Sequence, residues 1–355
     1  MALNKDLLLQ IIEEKLKPVV KKVDEQAHYA EDYILALGKA GFFNSATKDL
    51  PILLLDEATV VRETAKVCMT TAFCIWCHLA ALTYLRNSGN NYLKQVILPK
   101  LENGGLLGAT GLSNAMKFYS GLEKLHLTAE KTEDGYIING VLPAVSNLGK
   151  RHYFGAIATI DEREVMVLVS TNTLGLELNE KIGFIGVNGS ATYTCKFDNV
   201  VIPNNFIIAE DAKAFCDVIR PTFIYYQVPL GAGVIAAAAE GIEKVKAKQN
   251  GCNSYLKVQA TELRNQYERI ETELKNLASN LTLKDVVNTR LQAVQDTLSA
   301  VQANMIHNGA AGYVAGSVPS RKLREAYFFA NLTPTVRHLE KIKMNFAYVD
   351  KEGVV

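Results

Sequence analysis

Apolar residues recur at helical spacing in the first third of the chain, at strand spacing in the middle, and at helical spacing again towards the end. The helical stretches of the first third are 5–22, AEDYILALGKAGFF, the residues around CIWCH (74–78), and NNYLKQVILPKLENGG. The last helix is expected to end near Phe346, with AYVDKEGVV as an exposed end. The pattern predicts an α+β protein with an N-terminal helical domain (1–105), a central β domain (106–208) and a C-terminal helical bundle (209–355).

The central part contains a predicted β-hairpin and three further strand candidates. In LHLTAEKTEDGYIINGVLPAVSN, a turn at Glu133, Asp134 and Gly135 separates two alternating runs. The other strand candidates are YFGAIATI, EVMVLVS and GSATYTCKFDNVVIP. The pattern therefore indicates a compact β domain between two helical parts.

The segment CIWCH has the Cys-x-x-Cys-His spacing of a c-type haem attachment site. It lies in VVRETAKVCMTTAFCIWCHLAALTYLRN, which has helical spacing and no breaker, so Cys74, Cys77 and His78 share one face of a mostly buried helix. No second Cys/His pair occurs at zinc-like spacing in the sequence. We therefore predict plain core thiols and no metal, haem or redox disulfide.

Composition excludes several classes of partner. The 355 residues are 48% hydrophobic and 21% charged, with 38 basic and 37 acidic side chains, which gives no electrostatic footprint for nucleic acid or for a membrane surface. The N-terminal MALNKDLLLQIIEEKLKPVVKK is expected to form an amphipathic helix and not a signal peptide, and no run is long enough to span a bilayer. We expect a cytoplasmic protein whose partner is a small molecule or another copy.

Four stretches, in order, resemble the acyl-CoA dehydrogenase superfamily. They are NSGNNYLKQVILPKLENGGLLGATGLS, AEKTEDGYIINGVLPAVSN, NGSATYTCKFDNVVIP and HNGAAGYVAGSVPSRKLREAYF. Members of that superfamily hold FAD between a small central β-barrel or sandwich and a C-terminal four-helix bundle. The resemblance covers nearly the whole chain and implies the same fold and an FAD-dependent oxidoreductase.

The resemblance also assigns candidate FAD contacts. Ser146 matches a hydroxyl that bonds the flavin near N5, and Thr110 begins a loop whose backbone faces the ring. Gly309 and Gly312 match a glycine-rich turn that approaches the FAD of a neighbouring subunit, and Thr335 matches a threonine beside the catalytic carboxylate. Without the resemblance, Ser146 is a strand-end hydroxyl and the two glycines form a helix–helix turn. Because the family shares FAD across an interface, a homodimer or homotetramer is expected.

The catalytic base is the main departure from the family. Dehydrogenation of an acyl thioester needs a carboxylate to remove the α-proton, and the ungapped match places Thr333, followed by Pro334, at that position. In some members the carboxylate precedes the arginine of the first C-terminal helix, where this chain has Ile219 before Arg220. Neither position holds an acid.

Three smaller departures concern the flavin pocket. The flavin-shielding tryptophan is replaced by Ala144, and the family's GAGSD loop by GLSNAMKFYSGLEK. An arginine that meets a neighbour's FAD has only Lys248 as a substitute, which offers a point charge and no bidentate fork. Arg220 and loop 113–124 are weak candidates for contacts with CoA.

Three hypotheses follow. The first is an acyl-CoA dehydrogenase-type enzyme whose base lies elsewhere, with His78 as the alternative and with weaker candidates at His338, Glu325 and the Tyr225/Tyr226 pair. The second is a flavin-dependent monooxygenase of the same fold, although Leu332 stands where those enzymes carry a histidine. The third is a binding paralogue without chemistry. The partners expected from the resemblance are a small-molecule substrate, an acyl-CoA under the first hypothesis, and an electron acceptor, which for a monooxygenase is oxygen.

Overall fold

The structure is a computed structural model that describes the backbone of residues 3–352 and the side chains of residues 3–346. Its helices in chain order are α1 (Lys5–Ile11), α2 (Val20–Glu25), α3 (Glu31–Lys39), α4 (Leu50–Val67), α5 (Met69–Asn87), α6 (Leu98–Glu102), α7 (Ser113–Phe118), α8 (Ala212–Tyr225), α9 (Val228–Val245), α10 (Lys248–Gly251), α11 (Ala260–Ser279), α12 (Leu283–Asn308), α13 (Ala310–Tyr313), α14 (Val318–Asn331) and α15 (Val336–Glu352). The strands are β1 (Gly108–Thr110), β2 (Leu127–Lys131), β3 (Gly135–Val145), β4 (Tyr153–Ile160), β5 (Arg163–Ser170), β6 (Leu176–Glu180), β7 (Tyr193–Pro203) and β8 (Ile207–Ala209). The predicted order of a helical part, a sheet part and a second helical part is confirmed.

The buried helix through CIWCH is interrupted at Cys68, which the sequence pattern did not predict. Cys68 has extended backbone angles (φ −148°, ψ 106°) and separates α4 from α5. The first N–H groups of α5 donate to a carboxylate oxygen of Glu325, at 3.1 Å from Met69 N and 3.4 Å from Thr70 N. The cap of α5 therefore comes from α14, some 250 residues away, and leaves no local signal in the sequence.

The strands form one sheet in the order β6-β7-β3-β2-β4-β5-β8, with β1 paired in parallel to β4. The predicted hairpin is confirmed, because β2 and β3 pair antiparallel from Leu127–Gly140 to Lys131–Tyr136. Alternate residues of β5 serve two cores: Val165, Val167 and Val169 belong to the sheet's own core, whereas Met166 and Leu168 belong to the core of the helices. The sheet is thus covered by helices on its outer face.

The C-terminal helices pack around α9. At Gly233 a Cβ atom would lie 2.4 Å from the Arg62 carbonyl oxygen, so α9 approaches the backbone of α4 as closely as only glycine allows. The stretch Ala212–Val245 is long and apolar enough to span a membrane, but 83% of its most apolar window is buried inside the protein, as in a core helix. The last helix reaches Glu352, beyond the predicted end at Phe346. The expectation for AYVDKEGVV concerns side chains that lie outside the described residues.

Candidate functional site

A cavity of about 360 Å³ lies between the sheet and α14. Ala144 and Ser146 line it from the end of β3, and Ser190 and Thr192 line it from the segment before β7. The opposite wall is α14, and the rest of the lining comes from the loop before Ser190. The residues of these two remaining walls are Phe184, Ile185, Gly186, Val187, Arg324, Tyr327, Phe328 and Asn331.

Three hydroxyl groups form a ridge along the sheet side of this cavity. Thr192 Oγ1 lies 2.7 Å from Ser146 Oγ and 2.8 Å from Ser190 Oγ. Three hydroxyls carry three protons, and these two mutual hydrogen bonds use two of them. One O–H therefore remains to donate a hydrogen bond to a ligand in the cavity, and free lone pairs remain to accept one.

Local backbone geometry brings the ridge together. Val187 and Ala191 adopt left-handed angles (φ 58° and 46°) on either side of a short 3₁₀ turn, Asn188–Ser190. Non-glycine residues in this region are uncommon and often occur at functional sites. The left-handed backbone at Val187 and Ala191 directs Ser190 and Thr192 back towards Ser146. Sequence analysis missed Ser190 and Thr192, although the polar run NGSAT immediately before a strand was a usable signal.

Thr110 lies next to Ser146 but uses its hydroxyl within the protein. The two residues form an isolated antiparallel bridge. Thr110 Oγ1 is 2.6 Å from Tyr84 Oη and accepts from the backbone N–H of Leu112 at 3.3 Å. The structure therefore brings Thr110 and Ser146 together, while only Ser146 lines the cavity.

Thr333 lies in the connection between α14 and α15, and its hydroxyl contacts Ser113. The Oγ atoms of the two residues are 2.9 Å apart, and the Thr333 carbonyl accepts from Gln227 Nε2 at 2.9 Å. Among the described residues, no carboxylate hydrogen-bonds to Thr333. Thr335 immediately precedes α15, and its Oγ1 accepts from the backbone N–H of His338 at 3.4 Å.

The segment 113–124 is fastened to α15 at a second point. Ser120 Oγ lies 2.5 Å from His338 Nε2, and the Ser120 carbonyl accepts from Lys341 Nζ at 2.7 Å. Burial and the positive charges of Arg220, Lys117 and Lys341 lower the pKa of His338 to about 4. Arg220 itself pairs with Asp217 at 3.0 Å. The segment that replaces the family's GAGSD loop thus closes over the Thr333 connection.

His78 is completely buried and does not line the cavity beside Ser146. Its Nδ1 accepts from the backbone N–H of Gly108 at 2.9 Å, and its ring meets Phe43 edge-on with centroids 4.7 Å apart. Burial lowers the pKa of His78 to about 3. The contacts of Nδ1 and of the ring are those of a structural histidine, while Nε2 is buried with no hydrogen-bond partner among the described residues.

The cysteines of CIWCH have the surroundings expected of core thiols. Cys74 and Cys77 are each 1% exposed, and burial raises the pKa of both thiols. All six cysteines are free. Within the described residues, no group of three or more His, Cys, Asp or Glu side chains is arranged to hold a metal ion.

Gly309 and Gly312 lie between α12 and α14, away from the cavity of the same chain. Gly309 has φ 56° and ψ −141°, and the surrounding surface exposes Ile306 and Tyr313. Lys248, the expected substitute for the family's arginine, lies in the exposed α10 turn. One chain therefore brings none of these three residues to Ser146, and their predicted role depends on a second copy.

The fold is that of the acyl-CoA dehydrogenases. The structure of butyryl-CoA dehydrogenase from Megasphaera elsdenii superposes with a TM-score of 0.87 at 19% identity, over 97% of both chains. A structure described as PigA with FAD and proline superposes with a TM-score of 0.84 at 17% identity, over 99% of this chain and 97% of the other. At these identities the likeness establishes the fold.

Sequence comparison points to the same group. Residues 4–105 match the family model of the acyl-CoA dehydrogenase N-terminal domain. The short-chain-specific acyl-CoA dehydrogenase of Clostridium acetobutylicum is 23% identical over 299 residues, which cover 80% of this chain and 74% of the relative. The chain belongs to the acyl-CoA dehydrogenase superfamily.

Proposed function

We propose that this chain is an FAD-dependent oxidoreductase that acts on an acyl thioester. The observation that carries the proposal is the cavity between the hydroxyl ridge and α14. The names of its relatives support the thioester class, since the sequence relative reported above is an acyl-CoA dehydrogenase.

The lining of the cavity suits the ring of a flavin. A flat aromatic ring with polar edges needs apolar walls and a few fixed hydrogen-bonding groups. Ala144, Val187 and Phe328 supply apolar wall, and the ridge around Thr192 supplies one O–H and several lone pairs. Bound there, FAD would supply the hydride acceptor. Ser146 and Thr192 would then hold the polar edge of the ring.

The phosphates of FAD would need groups from outside this cavity. Arg324 is the only cation among the described residues of its lining, and both of its terminal nitrogens donate to the Asp24 carboxylate, at 2.7 and 2.6 Å. That bidentate pair leaves Arg324 little capacity for a phosphate. We therefore propose that Gly309, Gly312 and Lys248 of a second copy complete the site, which makes the active protein a homo-oligomer.

The α-proton base of this enzyme is not at position 333. A threonine hydroxyl is too weak a base, and that of Thr333 already contacts Ser113. His338 is a better-placed histidine than His78, because it lies in the first turn of α15 and contacts the same segment 113–124. At neutral pH its lowered pKa keeps it uncharged, and for the same reason it has little proton affinity.

One observation favours a second function, a flavin- or ligand-binding protein without α-proton abstraction. The Ser113–Thr333 contact closes the place where the family carries its carboxylate, and no described acid replaces it there. The monooxygenase hypothesis gains no support from any contact at this cavity.

The visible spectrum of the purified protein, followed anaerobically during additions of acyl-CoAs of increasing chain length, tests the proposal. A flavin spectrum that bleaches with one of them is the expected result. A flavin spectrum that none of them bleaches supports the binding protein. The absence of flavin after reconstitution with FAD contradicts the oxidoreductase and leaves only a protein that binds another ligand. Flavin that is bleached equally in a His338→Gln variant excludes His338 as the base.

A further inference from the structure

Arg290, in α12, carries a buried charge that no acid neutralises. The side chain is 0% exposed, and among the described residues no carboxylate hydrogen-bonds or ion-pairs with it. Its Nε donates to Gln227 Oε1 at 3.0 Å, and its Nη2 donates to the Phe329 carbonyl at 2.7 Å. The guanidinium also stacks 3.6 Å above the Phe329 ring, and Nη1 has no partner. Burial lowers the pKa of Arg290 to about 9, so the group is still charged at neutral pH.

The contacts of Gln227 join Arg290 to Thr333. Only the amide oxygen can accept from the guanidinium, so the amide nitrogen points the other way and donates to the Thr333 carbonyl at 2.9 Å. One guanidinium therefore holds the carbonyls of residues 329 and 333, the first directly and the second through Gln227. The first carbonyl lies in the last turn of α14, and the second lies in the connection that carries the Thr333 hydroxyl.

The choice of residue at position 227 is informative. A glutamate has almost the same shape as Gln227, would still accept from Arg290 Nε, and would neutralise the buried charge. It could not donate to the Thr333 carbonyl, however, because an ionised carboxylate is acceptor-only. The chain has a group that holds Thr333 and does without a group that would pair with Arg290.

We infer that Arg290 and Gln227 are positioning residues that fix the segment 329–333 at the end of α14, and with it the Thr333 hydroxyl, which stands at the position matching the family's carboxylate. This inference rests on the proposed function for its consequence in catalysis, but the geometry it describes is independent of any reaction. The contact of Thr333 with Ser113 on the other side completes the fixation.

The decisive variant is Gln227→Glu, with Gln302→Glu as its control. Gln302 lies exposed on the same helix as Arg290 and undergoes the same chemical change without touching the connection. Hydrogen–deuterium exchange of the backbone amides of residues 330–336, except Pro334, which has none, is the measurement. We expect exchange about tenfold faster in Gln227→Glu and unchanged in Gln302→Glu, with the denaturation midpoint of Gln227→Glu equal to or above that of the parent protein.

Two further variants separate positioning from general support of the core. Arg290→Met should accelerate exchange in 330–336 and also lower the denaturation midpoint, because it leaves Gln227 and the Phe329 carbonyl without their donor. Arg290→Lys should recover the midpoint of the parent in part, but not the slow exchange, because a lysine cannot reach both acceptors in fixed geometry.

If the flavin is reduced by a thioester, Gln227→Glu should lower kcat about tenfold with KM unchanged. Unchanged exchange in Gln227→Glu, or failure of that variant to fold, overturns the inference. If no variant is reduced but exchange changes as expected, the positioning pair is correct and the proposed reaction is wrong. If a thioester reduces the flavin but exchange in Gln227→Glu is unchanged, the proposed reaction is correct and the positioning pair is wrong.

Discussion

The face of α14 that lines the cavity and the connection beyond its C-terminal end meet very different surroundings. Along the cavity, α14 faces three hydroxyls with a proton to spare, which is the kind of wall a polar ring edge requires. Beyond its C-terminal end, the Thr333 hydroxyl is already engaged by Ser113, and no described acid bonds to it. The comparison indicates that the groups suited to a flavin are present while the expected proton-abstracting group has changed.

Both sides depend on the same rigid helix. The middle of α14 is fixed by Glu325, which caps α5 and pairs with Lys322 at 3.0 Å, both side chains being 1% exposed. The end of α14 is held through Arg290. A change of chemistry at Thr333 therefore leaves the cavity wall in place, because the helix is anchored independently of that residue.

Filling the cavity should have the largest effect, because it should abolish flavin binding at the hydroxyl ridge. Ser146→Trp places an indole where the ring would lie, so we expect reconstitution with FAD to give essentially no bound flavin, with the secondary structure retained. The measurement is the flavin-to-protein absorbance ratio after gel filtration. Ser279→Trp, at an exposed position at the end of α11, is the matched control. Full flavin content in Ser146→Trp would place the cofactor elsewhere.

Removing the anchor of α14 should affect both sides at once. In Glu325→Gln the buried Lys322 ammonium loses its counter-ion and α5 loses the charge at its N-terminus, so we expect a loss of about 3 kcal/mol in the free energy of unfolding. Urea denaturation followed by circular dichroism measures it. Glu340→Gln, on α15, should change stability by less than about 0.5 kcal/mol. Equal effects in the two variants would show that Glu325 is not an anchor.

The fold and the site were accessible from sequence to different degrees. Alternation and a local turn were sufficient for the hairpin of β2 and β3, because the determinants lie within about twenty residues. The break at Cys68 was missed because its cap, Glu325, lies on another helix. The ungapped family match predicted Thr333 as the position of the family's base, and that assignment stays a prediction, whereas its partner Ser113, 220 residues away, could be found only in the structure. Long-range side-chain contacts leave no periodic signal.

Restoring a carboxylate at position 333 tests whether the missing base alone limits the reaction beyond the end of α14. Thr333→Glu should raise the rate of flavin reduction by an acyl-CoA about 100-fold, if the missing base is the only defect. Stopped-flow absorbance under anaerobic conditions measures this rate, and Thr333→Gln controls for size and for loss of the Ser113 contact. A flavin-loaded Thr333→Glu protein that no acyl-CoA reduces faster than the parent would show that the closed segment 113–124, and not the base, excludes the substrate.

The smallest expected effect concerns the pH dependence of stability that arises from His338, which holds segment 113–124 through Ser120. His338 is held neutral by burial and by Arg220, Lys117 and Lys341, with its pKa lowered to about 4 from an ordinary value near 6.5. The unfolded chain therefore binds the proton more readily than the folded one between these values, so stability is full above about pH 6.5 and falls as pH drops towards 4.

His78, with its pKa lowered to about 3, contributes in the same direction, so the parent protein alone cannot isolate His338. The informative quantity is the difference between the parent and His338→Gln, which keeps a hydrogen-bonding group for Ser120. We expect the parent to lose about 1 kcal/mol relative to the variant between pH 6.5 and 4.5, after allowance for solvent screening. Parallel unfolding curves over this range would mean that protonation of His338 does not loosen the segment over Thr333, and that the proposed base side stays closed at acid pH.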